Sequence, residues 1–178
     1  MTWIRDQHAG QHIKRTHRPY FQHLISVGRM AARYEKLGFE IGLCHDLLED
    51  TSAGIELFRQ ELIQIGYGEA DAEKIKQAVV ALTDVFTKKD YPNLTKKARK
   101  KLEARRLLTI GPEAQTVKYA DLIYNINWVV EYDEAHARKY LQKKQQLIES
   151  MTEGNPELRA KALELVIKNR NQLNVEDS

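Results

Sequence analysis

Helical periodicity runs through nearly all of this chain, and the two-residue alternation of a half-buried strand is almost absent. A chain patterned this way buries its apolar stripes only by packing helix against helix, so it reads as an all-α fold. Its 178 residues, 42% hydrophobic and 30% charged, suffice for one hydrophobic core without disulfide staples. No internal repeat, compositional shift or low-complexity linker interrupts them, so a single-domain helical bundle over residues 1–178 is expected.

Glycine and proline are sparse and help set the expected order of elements. A short first helix leads into a basic loop around Lys14-Arg15, then a helix from about Pro19 to Lys36, ended by Gly38. His23, Val27, Met30 and Tyr34 share one stripe of that helix. Thr51 and Ser52 offer caps for a helix through Ile55, Phe58, Leu62 and Ile65, closed by Gly66 and Gly68. Another runs from about Ala70 to Leu82, followed by a polar loop over 83–95 and a basic helix from Lys96 to Arg106. Gly111-Pro112 breaks the chain before its most buried helix, in which Val117, Ala120, Leu122, Ile123, Ile126, Val129 and Val130 occupy nearly the whole circumference. Two amphipathic helices follow, from Asp133 to about Met151 and, started by Asn155-Pro156, from Pro156 to about Leu173. The tail from Asn174 to Ser178 is expected to fray.

Within this frame the stretch Cys44-His45-Asp46-Leu47-Leu48-Glu49-Asp50-Thr51 carries the densest chemistry. As one helix at about 100° per residue it sets Ile41, Leu43, Cys44, Leu47 and Leu48 against a face of His45, Asp46, Glu49 and Asp50. Gly42 falls among the polar residues as a gap with room for something to approach. Three carboxylates within about two turns repel one another unless something positive lies among them, and the stretch contains no Lys or Arg. A solvated acidic face meets that requirement, and so does a bound divalent cation, for which imidazole beside carboxylate is ligand chemistry.

Two other positions pose the same choice. His23, on an apolar stripe, is either a hydrogen-bonded core histidine or a ligand. Asp121, one turn before Asn125 in an apolar cylinder, needs a partner, which is either Lys118 or a metal. Collected, His23, His45, Asp46 and Asp121 suit a first-row divalent ion such as Mn²⁺, Fe²⁺ or Zn²⁺ better than Ca²⁺ or Mg²⁺. Glu49 and Asp50, on the same face as His45, are placed to take a proton from water. The basic helix is either a solvated face or a patch that attracts phosphates. From these residues alone the reading is metal-assisted hydrolysis of a phosphoester.

The formal net charge is only +3, and neither aromatic interleaving nor a known motif points to nucleic acid. The chain has no membrane-length apolar run, no signal-peptide pattern and a single cysteine, Cys44, so a reducing, cytoplasmic setting is expected. The expected partner is a small nucleotide rather than a membrane, and a homo-oligomer is left open.

The His23…His45-Asp46…Asp121 pattern resembles that of the HD metal-dependent phosphohydrolases. More narrowly, His45-Asp46-Leu47-Leu48-Glu49-Asp50-Thr51 resembles the HDxxEDT signature of the hydrolase domain of RelA/SpoT-type proteins, which degrade the stringent-response alarmone (p)ppGpp. His8-Ala9-Gly10-Gln11 is similar to that family's HxGQ, Pro19-Tyr20 with His23 to its PYxxH, and Val117-Lys118-Tyr119-Ala120-Asp121 with Tyr124-Asn125 to its VKLAD…(H/Y)N. The likeness covers roughly residues 5 to 151 and stops before a synthetase domain, as in stand-alone small alarmone hydrolases like the metazoan SpoT homologue. It implies metal binding, of Mn²⁺ or another first-row divalent ion, by His23, His45, Asp46 and Asp121. It also implies catalytic roles for Glu49 and Asp50, and substrate contacts for Lys14, Arg15, Asn125 and Tyr140. Departures are Leu24 after His23 where the family usually has proline, a reversed basic pair one residue further from Gln11, and Asn127-Trp128 where charged residues are usual.

The expected activity is therefore removal of the 3′-pyrophosphate from (p)ppGpp, giving GDP or GTP and pyrophosphate. The same chemistry on ppApp or on the 2′-phosphate of NADPH is an alternative, and a non-catalytic nucleotide-binding helical module is another.

Overall fold

The computed structural model describes residues 1–175, with side chains through residue 173. Its helices are α1 (Thr2–Gln7), α2 (Phe21–Ala31), α3 (Gly38–Cys44), α4 (Leu47–Asp50), α5 (Ile55–Gln64), α6 (Glu69–Leu82), α7 (Lys96–Arg106), α8 (Pro112–Tyr132), α9 (Glu134–Ser150) and α10 (Pro156–Val175), with a 3₁₀ turn at Leu107–Thr109. Among the described residues there is no strand, only an isolated bridge between His12 and Pro19. No helix is long and apolar enough to cross a membrane. The Asn155-Pro156 start signal works as read: Asn155 Oδ1 accepts from the Glu157 and Leu158 N–H groups at 3.0 and 3.1 Å. Of the tail expected to fray, Asn174 and Val175 continue α10, and residues 176–178 lie outside the described residues.

The helix with apolar residues around most of its circumference is the axis of the bundle. α8 packs against α2, α3, α6, α9 and α10, which is why its residues had to be apolar on nearly every side. Val117, Tyr119, Ala120 and Ile126 are fully buried, in one contiguous core with Leu24, Val27, Ile41, Leu47, Ile75, Leu141 and Ile148. The basic helix α7 is tied down by its one buried carboxylate. Glu103 accepts from the Val85 and Phe86 N–H groups at 3.0 and 3.1 Å, and Arg106 bonds both Glu103 and the carbonyls of Ala81 and Thr83.

Three expected boundaries shift. The second helix ends at Ala31, short of Lys36, and Gly38 opens α3 instead of closing α2. A Cβ on Gly38 would lie 2.5 Å from the Ala31 carbonyl oxygen, so the chain folds straight back onto the end of α2. The helix expected through 44–51 is also interrupted. His45 keeps helical angles, but Asp46 turns to φ −101°, ψ 3°, and a new helical turn starts at Leu47. Thr51 locks that turn, donating to the Leu47 carbonyl at 2.7 Å and accepting from Ala53 N–H at 3.1 Å, and Gly54 is the N-cap of α5.

Gly42 does leave room, but the occupant is another helix. A Cβ on Gly42 would lie 2.7 Å from Gly28 Cα and 2.8 Å from Gly28 N, and one on Gly28 would lie 2.8 Å from the Phe39 carbonyl oxygen. α2 and α3 therefore cross backbone to backbone, with His23 on one helix and His45 at the end of the other. Gly42→Ala is expected to lower stability by about 1–3 kcal/mol, the usual cost of forced overpacking. A fall in Tm together with weaker divalent-metal binding would register it, since the added methyl pushes the two histidines apart.

Candidate active site

Four side chains converge where α2, the α3–α4 junction and α8 meet. His23 Nε2 and His45 Nε2 are 3.3 Å apart. His45 Nε2 lies 3.0 Å from Asp46 Oδ2 and 3.7 Å from Asp121 Oδ1; His23 Nε2 lies 3.7 and 3.5 Å from the same two atoms. His23, His45 and Asp121 are buried and together can hold a metal ion, with ligand atoms all within 4.8 Å of one another. The break at Asp46 is what admits the fourth group. On a continuous helix Asp46 would point about 100° away from His45, whereas the turn aims its carboxylate back at both imidazoles.

The hydrogen bonds around the cluster test whether a cation fits there. His45 Nδ1 lies 2.7 Å from the Gly42 carbonyl, which can only accept, so the proton is on Nδ1 and the lone pair of neutral His45 is on Nε2. That lone pair faces two carboxylate oxygens and a second imidazole nitrogen, an arrangement that needs a positive charge at its centre. Ligands about 2.1 Å from a shared ion stand roughly 3.0–3.4 Å from one another, close to the spacings found here. The donor set fits a first-row divalent ion. Without one, a proton serves: burial opposes charging His45, but Asp46 and Asp121 raise it to about 10. Burial likewise opposes ionising Asp46, and His45 and hydrogen bonds from His23, His45 and Tyr20 hold it well below the usual carboxylate range.

Asp121 has Lys118 as the partner its sequence context offered, and turns its second oxygen to the histidines. Its Oδ2 accepts from Lys118 Nζ at 2.8 Å, while Oδ1 faces the histidines and accepts from Asn125 Nδ2 at 2.5 Å. Against the effect of burial, Lys118 and then His45 keep Asp121 ionised far below its ordinary range. His23 is held differently, by rings. Tyr20 and Tyr124 pack at 5.2 and 4.5 Å between centroids, and its buried Nδ1 has no hydrogen-bond partner.

Beside the cluster opens a cleft of about 620 Å³, lined by Lys14, Tyr20, His23, Asp50, Asn125, Trp128 and Tyr140 among others. Loop 8–20 forms one wall and is pinned on both sides. Trp128 Nε1 donates to the Lys14 carbonyl at 3.1 Å, and Gln11 Nε2 donates to the Asp50 carbonyl at 2.7 Å while its Oε1 bonds His8 Nδ1. Lys14, Asn125 and Tyr140 thus reach the cleft. Arg15 does not: with φ at 60° it turns back to pair with Asp133 at 2.9 Å and to bond the Tyr132 carbonyl.

Glu49 and Asp50 stand at the solvent edge of the cluster, Asp50 in the cleft and Glu49 on the side of loop 83–95. Glu49 Oε2 accepts from Asp84 N–H at 3.2 Å. Enclosure by the protein, then the Asp84 charge, push Glu49 up to about 7, so it changes protonation near neutral pH. Enclosure and Asp46 also raise Asp50.

Tyr20 is a contributor that sequence reasoning left without a role. Its hydroxyl donates to Asp46 Oδ2 at 2.5 Å, and burial and then Asp46 raise it far above its ordinary range. The motif residues Tyr20, Gln11 and His8 were visible as a pattern, but their partners lie on distant elements. Asp84 had no sequence signal at all.

By sequence, no protein-family model matches the chain and no curated protein matches it at a significant level. By structure, it is similar to a solved protein described as a metazoan ortholog of SpoT that hydrolyzes ppGpp and plays a role in starvation responses. The TM-score is 0.73 at 20% identity, covering 95% of this chain and 92% of that one. The all-helical fold is thereby shared.

Titrating Mn²⁺ into metal-free protein is expected to raise Tm progressively with concentration, because binding to the folded state alone stabilises it. His45→Ala is expected to abolish that rise, and a rise of unchanged size would exclude the cluster as the site.

Proposed function

We propose that the protein is a metal-dependent hydrolase that removes the 3′-diphosphate from (p)ppGpp. The observation that carries the reading is the convergence of two imidazole nitrogens and two carboxylate oxygens beside a cleft that Asp50 lines. The cluster, His23, His45, Asp46 and Asp121, would hold the ion. A divalent ion bound there polarises a phosphoryl oxygen and makes water more acidic.

The chain's own residues supply the rest. Lys14 presents an ammonium group to the nucleotide in the cleft, and Asn125, its N–H committed to Asp121, keeps its carbonyl oxygen for the substrate. Tyr140 offers an aromatic face and a hydroxyl, and Trp128 an aromatic wall. Glu49 takes the proton of the attacking water, and Asp50 orients that water from the cleft side. The water oxygen bonds to the phosphorus attached to the ribose 3′-oxygen, and the bond from that phosphorus to the 3′-oxygen breaks. The 3′-oxygen takes up a proton, leaving GDP or GTP and pyrophosphate. The SpoT ortholog's described hydrolysis of ppGpp supports this choice of substrate through shared fold.

Incubating the Mn²⁺-loaded protein with ppGpp, and in parallel with ppApp and NADPH, tests the reading. Pyrophosphate release from ppGpp, abolished by chelator, is expected. Preferential turnover of ppApp or NADPH would redirect the substrate, and turnover of none would leave a binding module. Asp50→Asn is expected to keep fold and metal affinity and to lose at least about a hundredfold in kcat, the scale of acid–base catalysis. With Glu49 at about 7, its basic form grows as pH rises. The pH profile of kcat/KM should therefore climb to a plateau with its midpoint at or below that value, and Glu49→Gln should remove both limb and activity. Because Glu49 is harder to ionise in the folded protein, Glu49→Gln should also raise Tm at pH 8.

A further inference from the structure

A second cavity, of about 360 Å³, lies between α1, α3 and α5 and shares no lining residue with the cleft. Its size is that of a small-ligand pocket, and its walls are mostly apolar. Four of its lining residues are aromatic: Trp3, Phe39, Phe58 and Tyr67. The Trp3 and Phe58 rings lie parallel to within 4°, their centroids 6.4 Å apart.

Into these walls the fold sets two half-buried carboxylates, Glu40 from α3 and Glu61 from α5. Tyr67 Oη donates to Glu40 Oε1 at 2.6 Å and fixes that carboxylate in place. Among the described residues the Glu61 carboxylate has neither a hydrogen-bond donor nor an ion-pair partner. No Lys, Arg or His lines the cavity. The amino group of Met1, a residue 66% exposed at the rim, is the one positive charge that the lining residues bring, and it pairs with neither carboxylate.

A partly dehydrated carboxylate without a counter-ion raises the energy of the free protein. Aromatic ring faces are negative too, so carboxylates and rings alike favour a cation and disfavour an anion. A bare metal ion is a poor occupant, because hard cations take about six or more oxygen ligands, and two carboxylates among hydrocarbon rings do not supply them. The cation that fits must carry an apolar body of its own.

We propose that this cavity binds an organic ammonium ion with an apolar body, such as an aralkylamine. Its ammonium group pairs with Glu61 and Glu40, and its body packs on Trp3, Phe39 and Phe58. The site is separate from the cleft and does not depend on the phosphohydrolase reading.

The chain has two tryptophans, Trp3 in this cavity and Trp128 in the cleft, so their indole N–H signals in NMR spectra report the two sites independently. Phenethylamine, phenethyl alcohol and phenylacetate form a matched series of cation, neutral and anion for titration into the whole protein. Phenethylamine is expected to shift the Trp3 signal saturably and leave Trp128 in place. Its Kd should be at least about tenfold below that of the alcohol, the scale of one charged hydrogen bond, and phenylacetate should bind more weakly still. Glu61→Gln should weaken phenethylamine by about tenfold and change the alcohol less than about twofold. Equal affinity for amine and alcohol would overturn the proposal, leaving an apolar pocket only. Tighter binding of phenylacetate would overturn it as well, since the Met1 amino group would then govern the site. So would a shift of Trp128 alone, or of neither signal. Tm of Glu61→Gln reports whether it folds; if it does not, Glu40→Gln must show the same selective loss or the proposal falls.

Discussion

Where α2 and α3 cross, Gly28 and Gly42 touch through their backbones, closer than any side chain would permit. The spacing of His23 and His45 follows from that contact. With alanines there the helix axes would have to separate, and the two imidazole nitrogens, 3.3 Å apart here, are carried on those two helices. Gly38 makes a second such contact at the end of α2, so the α2–α3 hairpin is fixed at its turn and at its crossing. Onto this hairpin α8 brings Asp121, and its other apolar positions hold it there.

The electrostatics of the site are a consequence of that enforced proximity. Two carboxylates and two imidazoles in a low-dielectric interior are tolerable only when their charges are balanced and their remaining lone pairs and protons are met. Lys118, Asn125, Tyr20 and the Gly42 carbonyl do this for Asp121, Asp46 and His45. What they leave is a set of lone pairs aimed at one another, which is the chemical definition of a cation site. Glu49 and Asp50 share the same short segment but lie at the solvent edge, where a carboxylate can exchange protons with water. Burial thus divides one run of acidic residues into a carboxylate turned inward to the histidines and two that face water.

Much of this was legible in the chain. Periodicity alone indicated an all-helical protein, and α8, with apolar residues around most of its circumference, announced itself as the central helix. The conflict between Asp121 and its apolar neighbours was visible without coordinates, as was the excess of carboxylate over cation near His45. The errors are as instructive. A single helix drawn through 44–51 hid the turn at Asp46, because helical propensity says nothing about a break set by tertiary contacts. Gly42 looked like space for a ligand because a helical projection shows one helix and not its neighbour. Arg15 and Lys14 look interchangeable in sequence, yet a left-handed backbone at Arg15 sends one to Asp133 and the other to the cleft.

The division between sequence and structure has a physical basis. Local patterning determines which segments are helices and which faces must be buried, because those preferences act between residues three or four apart. It also determined the inventory of chemistry: two imidazoles, a surplus of carboxylates and a strongly basic helix. Which atoms of that inventory meet was decided only by packing. His23 to Asp121, Trp128 to the Lys14 carbonyl and Asp84 to Glu49 all join residues distant in the chain. Such pairings depend on how closely whole helices approach, and here two glycines set that distance.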